Sequence, residues 1–234
     1  DQVRYMWITD TLARHKMHTM AVGPTGTGKT LNINNKLMAG MPDKYMPIFI
    51  GFSAQTSANQ TQDLLDAKMD KRRKGIYGPS PGKQYIIFVD DVNMPQREEY
   101  GAQPPIEILR MWMNHGFWYD RKLCEKRQIV DVSFVGALGP PGGGRQIVTN
   151  RFLRYFNFVS FPELDDGAMK QIFNVVLQTF VKAYLPPDLL DVVYPMVDAT
   201  IELYNVIGKE LLPTPSKPHY TFNLRDVASV IQVS

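Results

Sequence analysis

The octapeptide GPTGTGKT, Gly23 to Thr30, has residue types in the order that phosphate binding requires. Its glycines let the backbone curl until successive N–H groups point inward at phosphate oxygens. Lys29 has the reach and charge for the β- and γ-phosphates, and the Thr30 hydroxyl suits Mg²⁺. An apolar strand, MHTMAV, precedes the loop and a helical pattern follows it, which is the context this chemistry needs. A chance glycine turn has no reason to end in Lys-Thr at a helix start. Gly23, Pro24, Thr25, Gly26, Thr27, Gly28, Lys29 and Thr30 are therefore candidate contacts for ATP or ADP.

A second stretch, IIFVDDVNMP from Ile86 to Pro95, ends an apolar run in two carboxylates. Ligands of open α/β sheets gather at the carboxyl ends of strands. Asp90 is thus a second candidate for Mg²⁺, directly or through water, alongside Thr30. Asp91 falls where a base or water-positioning group would sit. Many nucleotide hydrolases have glutamate at that second position, and the aspartate here raises the question of whether hydrolysis survives. By itself Asp-Asp after an apolar run is a weak signal, since acidic residues commonly end strands; the upstream loop gives it meaning.

The elements that must position these groups alternate between strand and helix, which argues for an α/β fold with a parallel sheet. Strands are expected at Met17–Val22, Pro47–Phe52, Tyr85–Val89, Val130–Leu138 and Phe156–Phe161. Helices are expected over Lys29–Met38, from a Ser57 cap through Leu64, Leu65 and Met69, and from Pro104–Pro105 with Ile106, Leu109 and Met113 on one face. GFWYDRKLCEKRQ reads as a polar hairpin with an aromatic start; Trp118 and Tyr119 suit either core packing or a contact surface, and Trp112 the core. His15 and His18 are expected either to share a helix face or to straddle a helix end and a strand start, the latter fitting better. GPPGGGR, Gly139 to Arg145, reads as a flexible loop, since it lacks the Lys-Thr ending of a second phosphate site. Its Arg145 could face nucleotide or a neighbour.

After Pro162 the strands stop. A helix starts at Asp165 or Asp166 with Met169, Ile172, Phe173, Val176 and Phe180 on one side. Another starts at Asp188 and is kinked or interrupted near Pro195. A proline-rich link, LPTPSKP, then leads to a last helix capped by Asn223. Residues 1–162 form the expected large nucleotide-binding lobe and 163–234 a small helical lobe cut short at its carboxyl end.

Composition narrows the class. The chain has 234 residues, 44% of them apolar, and begins without Met, as a piece of a longer polypeptide would. Lys plus Arg is 26 against 23 Asp plus Glu, a net charge of +3. No basic run exceeds KRRK at Lys71–Lys74, read as the solvated end of a helical pattern, so nucleic acid is not an expected partner. Four histidines lack metal-like grouping, and the single Cys124 can form no disulfide within the chain, which fits a reducing compartment. No apolar run approaches the ~18 residues of a membrane span, and the opening residues lack the charged-then-apolar order of a signal peptide. A soluble intracellular module is expected.

IFVDDVNMPQREEYGAQPPIEILRMWMNHGFWYDRK and GALGPPGGGRQIVTNRFLRYFN closely resemble the motor ring of dynein heavy chains. More narrowly, they resemble the third of its six AAA+ modules in the axonemal type, and FNLRDVASVIQ extends the likeness to the end of the chain. The resemblance implies an AAA+ large lobe with strand order 5-1-4-3-2, a smaller helical lobe, and a regulatory nucleotide site that gates the main ATPase in the first module. Its implied partners are neighbouring AAA+ modules of the same polypeptide, other dynein chains, and microtubules only through other parts of the protein. Its implied place is the cytoplasm and cytoskeleton, in the axoneme of a cilium or flagellum. Lys29 and Thr30 match the Walker-A lysine and hydroxyl, and Asp90 the Walker-B aspartate. Arg225 matches the sensor-2 arginine on the γ-phosphate. Arg151, ahead of Arg154, matches an arginine finger that would serve the preceding module.

Two positions depart from the hydrolytic pattern: Asp91 replaces the usual glutamate, and Gly139 replaces a polar sensor-1 residue. Aspartate withdraws its carboxylate by roughly 1 Å, a misplacement that can cost about 10²-fold in rate. Losing one polar contact at the reacting phosphate costs about 10²-fold more. The expected function is therefore Mg-nucleotide binding with slow hydrolysis; the alternative is a non-hydrolysing module that holds its nucleotide as structure.

Overall fold

Gln84–Asp90 and Val132–Leu138 are buried along their lengths except at the last residue of each. Such near-continuous apolar runs suit strands covered by helices on both faces. A computed structural model places them at the centre of a parallel sheet. It describes residues 2–212, Thr214, Lys217, Tyr220 and 222–233. Pro213, Pro215, Ser216 and Pro218 of the proline-rich link, and His219, lie outside the described residues.

The chain divides into two units: one takes in the chain to Gly23 and Gly28–Phe161, the other Pro24–Thr27 and the chain from Pro162. In order, the first contains α1 (Gln2–Arg14), β1 (Thr19–Val22), α2 (Lys29–Ala39), β2 (Tyr45–Gly51), α3 (Ala58–Asp66), β3 (Asp70–Arg73) and β4 (Ile76–Gly78). It continues with β5 (Gln84–Asp90), α4 (Pro104–His115), β6 (Phe117–Tyr119), β7 (Lys126–Ile129), β8 (Val132–Leu138), α5 (Asn150–Leu153) and β9 (Asn157–Ser160).

The main sheet has the order β2-β5-β8-β1-β9, every pair parallel. Counted among these five strands alone and read from β9, the order is the expected 5-1-4-3-2. Side chains alternate between faces with the strand period of two. Ile86, Phe88, Val135 and Ala137 meet Ile33 and Leu37 of α2 and Ala13 of α1. Ile87, Val89 and Phe134 meet Leu65 of α3 and Ile106, Leu109 and Trp112 of α4. Parallel pairing brings the carboxyl ends of β5, β8 and β1 side by side, and these ends carry Asp90, Gly139 and Gly23.

A second sheet, β3-β4-β7-β6, corrects the reading of Lys71–Lys74. Its first three residues lie in β3, antiparallel to β4, instead of ending a helix. α3 stops at Asp66, and Met69 is buried beyond it. The expected hairpin is present as β6 against β7. Trp118 lies in the core at 1% exposure and its indole N–H donates to Asp66 at 2.9 Å, so it offers no contact surface.

The second unit carries α6 (Asp166–Tyr184), α7 (Leu190–Glu210) and α8 (Leu224–Val233). Asp165 caps α6, accepting from the Ala168 N–H at 2.9 Å. The buried stripe of α6 is Met169, Phe173, Leu177 and Val181, against Val193, Val197 and Ile201 of α7 and Val227 and Ile231 of α8. Ile172, Val176 and Phe180 are exposed, which corrects the expected face. α7 runs on through Pro195 without interruption. Pro195 sits early in the helix, where its missing N–H removes one intrahelical bond. Among the described residues no helix is long and apolar enough to cross a membrane.

Candidate functional site

β1 delivers Gly23 into a space that admits no side chain. A Cβ there would fall 2.1 Å from the Phe161 carbonyl oxygen. The Gly23 N–H donates to Leu138 O at 3.3 Å, and the Phe161 N–H donates to Val22 O at 2.7 Å. The loop's first residue is thus fixed to the ends of β8 and β9. Lys29 Nζ donates to Gly23 O at 2.7 Å, so the lysine folds back over the start of the loop.

At the far end of the loop Gly28 is the N-cap of α2, with φ 79° and no side-chain cap bond. The dipole of a helix favours negative charge at its N-terminus, where anions bind. Pro24–Thr27, grouped with the second unit, has its own brace: Thr27 Oγ1 donates to Pro24 O at 3.0 Å. Thr25 is half-buried. Gly26 has φ 88°, and a Cβ on it would lie 3.2 Å from the Leu224 nitrogen, within the same unit.

Thr30, in the first turn of α2, meets Asp90 at the end of β5. Its hydroxyl lies 2.9 and 3.1 Å from the two carboxylate oxygens. The Asp91 N–H donates to Asp90 Oδ1 at 3.0 Å. Burial pushes the Asp90 carboxyl above its ordinary value, and the Asp91 charge adds to this. The Thr30 hydrogen bond, the Asp91 N–H and the Lys29 charge oppose it. A divalent cation would supply the positive charge such a buried carboxylate favours. Hydroxyl and carboxylate oxygens are the donors Mg²⁺ selects, usually one or two of them with phosphates and water completing the shell. Among the described residues no cluster of three or more His, Cys, Asp or Glu could hold a metal unaided. The Thr30 hydroxyl and the Asp90 carboxylate are oxygen donors of the kind that fits Mg²⁺.

Asp91 lies just beyond β5 in the left-handed region, φ 49°, which few non-glycine residues adopt. Its Oδ1 accepts from Arg145 Nη2 at 3.1 Å. Arg145 comes from the glycine-rich loop after β8, and that loop is built where a flexible one was expected. Gly142 and Arg145 exchange backbone hydrogen bonds, each 3.0 Å, around Gly143 and Gly144, both at positive φ. The Gln146 N–H donates to Asn93 O at 2.8 Å, and Asn93 Nδ2 donates to Gly139 O at 2.8 Å. Asn93, buried and absent from the sequence-derived site, ties this loop to the segment after Asp91. Only the glycine turn signalled the loop's form; nothing local signalled its target.

The remaining candidates have partners of their own. Arg151, on α5, pairs with Glu107 of α4 through Nη2 at 2.6 Å and Nε at 3.2 Å, and Glu107 also pairs with Arg110. Arg154 lies over the Tyr155 ring and donates to its hydroxyl at 2.6 Å. Arg225 is exposed in the first turn of α8, where its backbone N–H donates to Asn223 Oδ1 at 2.8 Å, the expected cap.

Comparison with known proteins accords with this geometry. The family described as "P-loop containing dynein motor region" matches residues 1–164. Dynein axonemal heavy chain 1 of Mus musculus is 49% identical over 244 residues, covering 99% of this chain and 6% of the relative. Dynein axonemal heavy chain 12 of Rattus norvegicus is 45% identical over 234 residues, covering 99% of the chain and 8% of the relative. Dynein axonemal heavy chain 3 of Mus musculus is 46% identical over 235 residues, again covering 99% and 6%. The chain thus spans less than a tenth of the curated relatives it matches.

Proposed function

Since the chain belongs to the family of P-loop-containing dynein motor regions, we propose that it binds Mg-ATP and Mg-ADP and hydrolyses ATP slowly. We place it as the third AAA+ module of an axonemal heavy chain, a microtubule motor of the cilium, where it regulates the main ATPase site. The observation that carries the reading is the Thr30–Asp90 pair beside the N-terminus of α2, whose N-cap is Gly28.

Gly23–Thr30 would hold the phosphates through backbone amides, and Lys29 would exchange Gly23 O for phosphate oxygen. Thr30 and Asp90 would hold magnesium, which supplies charge neutralisation across the phosphates. Asp91 is the candidate to orient water, with a carboxylate shorter by one methylene than the usual glutamate. Arg225 keeps the phosphate-contact role that the resemblance implies. Nucleotide here biases a second site only as far as its affinity differs between the two conformations that the sites share. Microtubules and other dynein chains would be met through other parts of the full protein.

Calorimetric titration with Mg-ATP and Mg-ADP tests the reading. Binding of both is expected, with losses of at least tenfold in Lys29→Ala and, for the magnesium complexes, in Asp90→Asn, since hydrogen bonds to charged groups are worth about 1.5–3 kcal/mol. No heat with either nucleotide would overturn it. The second reading, a module that holds nucleotide without cleaving it, is favoured by the Arg145–Asp91 pair, which occupies the water-orienting carboxylate. Bound ATP that survives hours of incubation supports that reading, and conversion to ADP supports slow hydrolysis.

A further inference from the structure

We infer that Arg145 is a nucleotide-sensing residue of this site, moving between the Asp91 carboxylate and the terminal phosphate of ATP. The inference rests on the reading above that Gly23–Thr30 and Asp90 take Mg-nucleotide. A Cβ on Gly139 would lie 2.9 Å from Arg145 Nε and 3.0 Å from its Cδ. The arginine stem therefore occupies the space that a side chain at the end of β8 would fill.

That place lies at the sheet edge where the proposed phosphate-binding residues assemble. Leu138 pairs with Val22, and the Gly23 N–H donates to Leu138 O, so Gly139 neighbours the first residue of the loop. On the other side Arg145 Nη2 reaches Asp91, next to the Asp90 carboxylate that holds Thr30. Arg145 thus stands between the ends of β1 and β5.

The loop aims the side chain instead of leaving it to wander. The paired Gly142–Arg145 backbone bonds and the Gln146–Asn93 bond fix the Arg145 backbone, while Asn93 fixes Gly139. Arg145 Nε is buried with no acceptor among the described residues. An unmatched buried donor is costly and gains from an arriving acceptor. The Asp91 carboxylate is partly exposed, its side chain at 43%, so the pair holding Arg145 is of the weak, solvent-screened kind. A terminal phosphate carries more charge and more acceptor oxygens than one carboxylate, and guanidinium suits it geometrically. ADP lacks that group and leaves Arg145 on Asp91.

Titrating the chain and its variants with Mg-ATP and Mg-ADP tests this by binding alone. Arg145→Ala should weaken ATP about tenfold or more, the worth of one charge-assisted hydrogen bond, and leave ADP within about twofold. Asp91→Asn, which removes the competitor, should strengthen ATP several-fold, and that gain should vanish in the Arg145→Ala background. Retained ADP affinity shows that each variant is folded. Should Arg145→Ala fail to fold, Asp91→Asn still decides through its ATP-to-ADP affinity ratio, which must rise. Equal effects on ATP and ADP, or an Asp91→Asn gain that persists without Arg145, would overturn the assignment. If the unaltered chain binds Lys29-dependent nucleotide while Arg145 is silent, only this inference fails; if it binds neither nucleotide, the underlying reading fails too.

Discussion

His18 shows how one residue's surroundings set a measurable property of the fold. It follows α1 and precedes β1, with its ring near Trp112, Phe134 and Phe156 at centroid distances of 5.7, 5.9 and 6.0 Å. Its Nδ1 accepts from the Phe134 N–H at 3.1 Å, which requires that nitrogen to be unprotonated. Burial lowers its pKa from 6.5 to about 4. Between those values the unfolded chain binds a proton that the folded chain refuses, so stability falls as pH falls from 6.5 towards 4. The full loss is about 3 kcal/mol at 1.36 kcal/mol per pH unit. Urea unfolding at pH 7 and pH 5 should show about 2 kcal/mol of it, and His18→Phe should remove that share. Asp90, whose carboxyl burial pushes up, contributes in the opposite sense, so the comparison is of slopes between the two proteins. An unchanged slope in His18→Phe would mean that His18 is already solvated when folded.

At the scale of elements, the capping box of α3 is the clearest case of sequence dictating a boundary. Ser57 Oγ accepts from the Gln60 N–H at 3.2 Å, and Gln60 Oε1 accepts from the Ser57 N–H at 3.1 Å. Ser57→Ala should cost about 1 kcal/mol in thermal or urea unfolding, the usual worth of such a cap. A loss indistinguishable from zero would show that Leu65 and the α4 packing hold α3 without its cap. The cap, the prolines opening α4 and the five strands of the main sheet were legible because each signal is local. β3 was not: Asp70–Arg73 is largely exposed, has no apolar alternation, and is a strand only because β4 lies beside it. The buried face of α6 was misread because Val175, Val176, Leu177, Phe180 and Val181 make the helix apolar nearly all round. Packing against α7 and α8 then selects the stripe, which periodicity cannot do. The site divides the same way. Lys29, Thr30 and Asp90 follow from motif and strand end, whereas the Arg145–Asp91 pair joins residues 54 apart through a loop path that Asn93 fixes.

The largest scale is that of the relatives, of which this chain covers only 6–8%. In the proposed ring of modules, an arginine on one module's surface would complete the preceding module's site, and we propose Arg151 for this. Its side chain is 54% exposed, and its pair with Glu107 sits at the surface. Exposed pairs are worth about 0–1 kcal/mol, so leaving Glu107 for a phosphate on a neighbour costs little. Arg154 is more committed, since Tyr155, whose hydroxyl it meets, donates in turn to Asn114 at 2.7 Å. Arg151→Ala should leave nucleotide affinity in this chain within about twofold, because exposed charges contribute little at a distance. In an intact heavy chain the same change should slow hydrolysis at the preceding module by about 10³–10⁵-fold, the usual worth of an arginine finger. Single-turnover measurements on heavy chains with every other module's Walker-A lysine replaced would isolate that site. A normal rate there, with weakened nucleotide binding in this module instead, would assign Arg151 to its own pocket and leave the preceding site to be completed by another group.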